Sequence, residues 1–178
     1  FRLSAKDALE KAHDYQVSLT EFLCAALMMA LQNMQEEHVP NIRRRRLIRV
    51  QVPVNLRRLF PSRTLRNFAL YTTPEIDPRL GSYDFGEICQ AVHHRMGLDV
   101  NPKVMSSRIA VNVSSEKTML VRVMPLFLKN AVMRAAFNAV GEKKCCLCLS
   151  NLGKVSLPEE MEPFVERFDF ILSAQATA

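Results

Sequence analysis

Apolar positions along this chain follow two rhythms. Between Leu47 and Tyr71, Ile48-Val50-Val52-Val54 and Phe68-Leu70 alternate with polar neighbours, the period of strands with one face in a core. Pro53 removes a backbone donor, which favours an edge, a bulge or the strand's end, and Pro74 and Pro78 are expected to close the second strand. Elsewhere the period is helical. Ser4 caps a short helix over Ala5 to Tyr15, and Ser18-Leu19-Thr20-Glu21 forms a capping box opening a helix to about Glu37. Phe22 to Leu31 is apolar all round, so that helix is expected to lie buried between layers. Ser82 or Asp84 caps a third helix, whose stripe is Phe85, Ile88, Cys89, Val92 and Met96 and whose stop is Gly97. Asn101-Pro102 starts a fourth, extending to roughly Val113. Met119 to Val140 reads as helix broken or restarted at Pro125, with Asn130, Arg134 and Asn138 as a polar edge. Cys145 to Ser150 reads as a third strand, Asn151 to Gly153 as a turn, Pro158 to Pro163 as a turn or short helix, and Phe164 to Leu172 as a fourth strand.

Helices outnumber strands, but the strands form the organising layer. The expected fold class is α/β, an α+β sandwich with a mixed sheet packed with helices, in one domain spanning residues 1–178. A hydrophobic content of 48% supports a core and excludes a disordered chain. A net charge of +6 argues only weakly for anionic partners. Five cysteines, three of them in one apolar run, argue against a disulfide framework and for a reducing, cytoplasmic setting. The longest apolar run, Phe22 to Leu31, is too short to span a bilayer. A start at Phe1 and an end directly after a strand-like run suggest that both ends are cut through a larger protein.

Several groups carry candidate chemistry. Arg43 to Arg46 is the densest charge; a phosphate or nucleic-acid patch competes with the favoured reading, a solvated strand entrance. A second basic set, Arg57, Arg58, Arg63 and Arg66, joins the two alternating runs and suits an anion or a carboxylate partner. His93-His94 with Asp99 suggests acid/base or metal chemistry, but helical neighbours point about 100° apart and Asp99 lies beyond the expected Gly97 stop, so a helix-surface role is favoured. Cys145 and Cys148 form a C-x-x-C with no second pair to complete a zinc site, so small buried packing residues are the favoured reading. Ser150-Asn151-Leu152-Gly153 places a hydroxyl and an amide at a strand end, where a side chain can face a cleft and donate to an oxyanion; a simple turn is the even alternative.

In this order, SLTEFLCAALMMAL, RVQVPVNLRRLFPSRTLRNF, MPLFLKNAVMRAAFNAVGE and CLSNLGKVSLPEEMEPFVERFDF resemble the C-terminal half of the coenzyme A-dependent acyltransferase superfamily. That superfamily includes chloramphenicol acetyltransferase, the condensation domains of nonribosomal peptide synthetases and bacterial alcohol acetyltransferase-like proteins. The resemblance implies a chloramphenicol acetyltransferase-like half-domain, truncated at both ends, whose general-base His lies upstream in an H-H-x-x-x-D-G motif. His93-His94 with Asp99 does not match that motif, having one residue too many and no following Gly. Asp169-Phe170 resembles the start of the D-F-G-W-G signature of some relatives, and Ile171-Leu172-Ser173 departs from it.

The resemblance further implies that Arg57 supports the aspartate of the missing motif, and that Ser150, with Asn151 beside it, faces the substrate tunnel and donates to the tetrahedral intermediate. The implied co-substrate is an acyl-CoA or acyl-carrier thioester, with no tightly bound cofactor and no metal. Its partners would be the N-terminal half and a small alcohol or amine acceptor; the isolated half is expected to be inactive and prone to self-association. A non-catalytic binding domain of the same fold is the alternative. A nucleic-acid-binding module ranks last, because no aromatic residues interleave the arginine run.

Overall fold

The computed structural model describes residues 3–65, 67–117, 125–136, 146–151, 153 and 156–166. Over these residues the chain is a mixed α/β structure of five helices and a small mixed sheet of four strands. The helices are α1 (Ala5–Asp14), α2 (Leu19–His38), α3 (Phe85–Asp99), α4 (Pro102–Lys117) and α5 (Leu126–Ala136). The strands are β1 (Ile48–Asn55), β2 (Ala69–Thr72), β3 (Glu75–Ile76) and β4 (Leu147–Cys148).

Local chemistry sets the helix starts. The Ser18 N–H donates to Glu21 Oε2 at 2.7 Å while the Glu21 N–H donates to Ser18 Oγ at 3.4 Å, completing the box the sequence announces. Asp84 and Glu87 repeat the arrangement at α3, which settles the cap on Asp84 rather than Ser82. Asn101 Oδ1 accepts from the Lys103 N–H at 2.9 Å with Pro102 as the first residue of α4.

β1 is the spine of the sheet. On one edge it pairs antiparallel with β2 and β3 in a single register, and on the other it pairs parallel with β4. β2 ends at Thr72, just before Pro74, as the sequence suggests, but the pairing does not stop there. The Pro74 carbonyl accepts from the Val50 N–H at 3.2 Å, so the pairing continues through it to Ile76. Proline lacks the returning N–H, and that missing bond is why β2 and β3 form two short strands instead of one. Pro53 lies on β1 beyond the Gln51 pairing with β4, where a missing donor leaves no described ladder bond unmade.

The core lies on one face of this sheet. Ile48, Val50 and Val52 meet Cys24, Ala25 and Met28 of α2 and Ile88, Cys89 and Val92 of α3, all buried, with Leu149 closing the β4 side. Tyr15, Phe22 and Phe85 join α1, α2 and α3 at ring-centroid distances of 4.9 to 6.2 Å. Buried Gln32 locks α2 to the segment before α3, donating to the Tyr83 carbonyl at 3.0 Å and accepting from its N–H at 3.1 Å. Ala26 and Ala30 are exposed, so α2 is buried on a broad face and not all round, with these two alanines on the outer side.

Gly97 does not stop α3. Its backbone is not left-handed, and the helix continues to Asp99, closing with the Val100 N–H on the Met96 carbonyl at 2.8 Å. The expected helix break at Pro125 falls at the start of α5, while residues 118–124 and 137–145 lie outside the described residues. Of the expected fourth strand, Phe164 ends a short 3-10 turn (Glu162–Phe164), and residues 167–172 lie outside the described residues.

Candidate functional site

β4 lies beside β1 with the same direction, so both strands end on one side of the sheet, the side where open α/β sheets form ligand clefts. The Leu149 N–H donates to the Gln51 carbonyl at 2.8 Å, and the chain leaves the ladder at Ser150. Asn151 fixes that exit. Its Nδ2 donates to Thr20 Oγ1, in the first turn of α2, at 3.0 Å, and its Oδ1 accepts from the Gly153 N–H at 2.9 Å. Gly153 has φ +72°, a conformation that a side chain would strain. Both ends of the Asn151 amide are therefore occupied in holding the turn. Ser150 is half-buried, and its hydroxyl forms no hydrogen bond within the described residues.

Arg57 lies beyond the same end of β1, in the 3-10 turn Leu56–Arg58 capped by Asn55, whose Oδ1 accepts from the Arg57 N–H at 3.1 Å. Its Nη2 donates to the Thr64 carbonyl at 2.8 Å, which folds the exposed guanidinium over its own loop. Ser150, Asn151 and Arg57 thus share one end of the sheet, at the termini of adjacent parallel strands.

A second cluster was not read from the sequence. With α3 continued through Gly97, Asp99 becomes a buried carboxylate in its last turn. Asp99 Oδ2 accepts from Thr72 Oγ1 at 2.6 Å and stands 3.3 Å from Arg95 Nε, while Oδ1 accepts from Arg108 Nη2 at 2.8 Å. Arg108 also donates through Nη1 to the Tyr71 carbonyl at 3.2 Å. One carboxylate therefore ties α3, α4 and β2, and the two guanidiniums around it leave a surplus positive charge. The spacing of Arg95 and Asp99, one helical turn, is the signal that points to it.

This cluster borders a cleft of about 460 Å³. Arg49, Leu70, Tyr71 and Thr73 line it from the sheet, and Ser107, Arg108, Val111 and Asn112 from α4. Arg49 Nε donates to Glu75 Oε2 at 2.5 Å across the β1–β3 pair.

The histidines part company. Both are exposed, but His93 Nδ1 lies 3.2 Å from Glu21 Oε1, linking α3 to the first turn of α2. Burial acts to raise the Glu21 carboxyl, but hydrogen bonds from the Ser18 backbone and hydroxyl, with His93 beside them, outweigh it and hold the group below its usual range. Cys24 is pushed up to about 12, first by burial and then by the Glu21 charge, and Cys89 is raised by the same two causes. These are inert core thiols. The cysteines expected to be buried on the third strand are not all so: Cys146, just before β4, is exposed and Cys148 is half-buried. Cys145 lies outside the described residues. Among the described residues, no His, Cys, Asp and Glu group is arranged to hold a metal ion.

The arginine run also divides. Arg45 turns inward to Glu36 Oε1 at 3.3 Å and to the Val39 carbonyl at 3.3 Å, its side chain only 11% exposed, while Arg43, Arg44 and Arg46 face solvent. No single helix among the described residues is long and apolar enough to cross a membrane. Comparison of the chain with protein-family models, with curated proteins and with solved structures finds no match.

Proposed function

We propose that this chain is the C-terminal half of an acyltransferase that moves an acyl group from a CoA or carrier-protein thioester to an alcohol or amine. The observation that carries the reading is Ser150: a half-buried hydroxyl, uncommitted among the described residues, at the C-terminal end of a parallel strand that Asn151 pins to α2. The resemblance of its sequence segments, in their order, to the acyltransferase superfamily is its second support.

In the proposed reaction a histidine from the preceding half removes the acceptor proton, and the acceptor attacks the thioester carbonyl. The carbonyl oxygen gains negative charge, and the Ser150 hydroxyl donates a hydrogen bond to it. Collapse of the intermediate re-forms the carbonyl and expels the thiolate. A single positioned donor of this kind contributes about 3 kcal/mol to the barrier. Arg57 would exchange its Thr64 carbonyl for the aspartate carboxylate of the missing motif, a stronger, charge-assisted partner. The apolar residues that α5 turns outward, Leu126, Phe127 and Met133 among them, suit a surface that meets a second half.

The test is thiol release from acyl-CoA or an acylated carrier by a protein that joins this chain to its N-terminal half. Ser150→Ala is expected to lower kcat roughly 100-fold, with little change in KM. No thiol release from either donor, or an unchanged kcat in Ser150→Ala, overturns the proposal.

A further inference from the structure

The cleft between β2 and α4 lies on the opposite edge of β1 from Ser150, and neither the reaction above nor the core uses it. Its volume, about 460 Å³, falls in the range that small-molecule sites occupy. Its polar wall is held in place by the protein's own contacts. Arg108 is fixed by Asp99 and by the Tyr71 carbonyl, and Arg49 by Glu75. These contacts use only some of the N–H groups that each guanidinium carries, so both retain donors for a further acceptor.

Charge sets the sign of that acceptor. Glu75 balances Arg49, but Asp99 is shared between Arg95 and Arg108, so the cluster bordering the cleft keeps one positive charge in excess. Beside the arginines the lining is apolar, with Leu70 and Tyr71 on the sheet side and Val111 on α4, one turn from Arg108. A fixed, under-neutralised guanidinium in a cleft that also carries apolar lining matches an amphiphilic anion better than a bare ion or a neutral molecule.

We propose that the cleft binds a small organic oxyanion, a carboxylate or phosphate monoester with an apolar body, its charge on Arg108 and Arg49 and its body against Tyr71 and Val111. The site is independent of the acyltransferase reading, because it needs neither Ser150 nor a second half of the protein.

Amide chemical shifts of the chain, followed during titration with phenyl phosphate and separately with benzoate, test it. Saturable shifts at Tyr71, Thr73 and Ser107 are expected with at least one probe, and the tighter of the two distinguishes phosphate from carboxylate. Benzyl alcohol and inorganic phosphate, each carrying half of the recognised chemistry, are expected to bind at least about ten-fold more weakly. Val111 is exposed, so Val111→Glu places a negative charge at the cleft without touching either ion pair and is expected to weaken binding about ten-fold, while Val111→Lys retains it. Arg49→Gln is a second variant on the opposite wall, expected to weaken binding in the same direction. Equal binding of benzyl alcohol, equal affinity in Val111→Glu and Val111→Lys, or no saturation by either aromatic anion at about 10 mM overturns the proposal.

Discussion

α2 and α5 carry similar apolar content and meet different fates. In α2 the apolar residues find the sheet on one side and α3 on another, and Met28 is fully buried at its centre. In α5 Leu126 is 73% exposed, Phe127 78% and Met133 60%. A run such as Leu126-Phe127-Leu128-Lys129-Asn130-Ala131-Val132-Met133 records that a helix is built to be covered, not what covers it. The residues between these extremes show how coverage is lost along the chain. Met105 near the start of α4 is buried, whereas Val111, under two turns later, is exposed.

The sharpest way to break this contrast is a matched pair of truncations. Met28→Ala removes a fully buried side chain and is expected to cost about 2–5 kcal/mol in a urea melt. Met133→Ala, at a mostly exposed position, is expected to stay within about 0.5 kcal/mol. Comparable losses at both positions would mean that α5 is packed as tightly as α2, and the comparison would fall.

Asp99→Ala tests what holds the intermediate region. It leaves Arg95 and Arg108 without their shared carboxylate and Thr72 without its acceptor, at an expected cost of about 3 kcal/mol. The loss should concentrate where the contacts are: amide exchange in α4 is expected to accelerate more than exchange in α2. Uniform acceleration would show that Asp99 supports the whole core and does not act as a clasp for α4.

Features set within a few residues are legible in the sequence itself. The Ser18–Glu21 box and the Asn101-Pro102 start need only their own neighbours to form, and the structure has both. The alternation of Ile48, Val50 and Val52 likewise names the buried face of β1. What escapes depends on distant residues. Pro74 reads as a terminator and β2 does end beside it, but its carbonyl also meets Val50 on another strand and pairing resumes at Glu75, which no local pattern shows. Gly97 looks like a helix stop, and it is carried through because Asp99 in the following turn is held by Thr72 and Arg108. Cys146 belongs to a strand-like run in the sequence, but the structure places it just before β4 and leaves it exposed. Of the candidate site, Ser150 and Asn151 are visible as a strand end followed by a turn. That Asn151 spends its amide on Thr20, across more than a hundred residues, is not.

A loss smaller than those at Met28 and Asp99 is expected inside the well-packed region, at the Glu21 carboxylate. This group closes the capping box of α2 through Oε2 and meets His93 of α3 through Oε1, so one side chain serves both helix start and helix pairing. Its folded-state value is held below the ordinary 4.5, so the folded protein favours the charged form more than the unfolded chain does. The resulting stabilisation is complete above pH 4.5 and disappears as the pH falls through the lowered folded value. Glu21→Gln keeps the shape and removes the charge, and at neutral pH it is expected to cost about 1 kcal/mol, the size of a capping interaction. Urea melts of both proteins across the acid range should therefore converge as the pH drops below 4.5, with the wild type alone losing stability there through this group. A gap between the two that stays constant down to the acid limit would assign Glu21 to packing, and leave the α2–α3 junction without an electrostatic contribution from this pair.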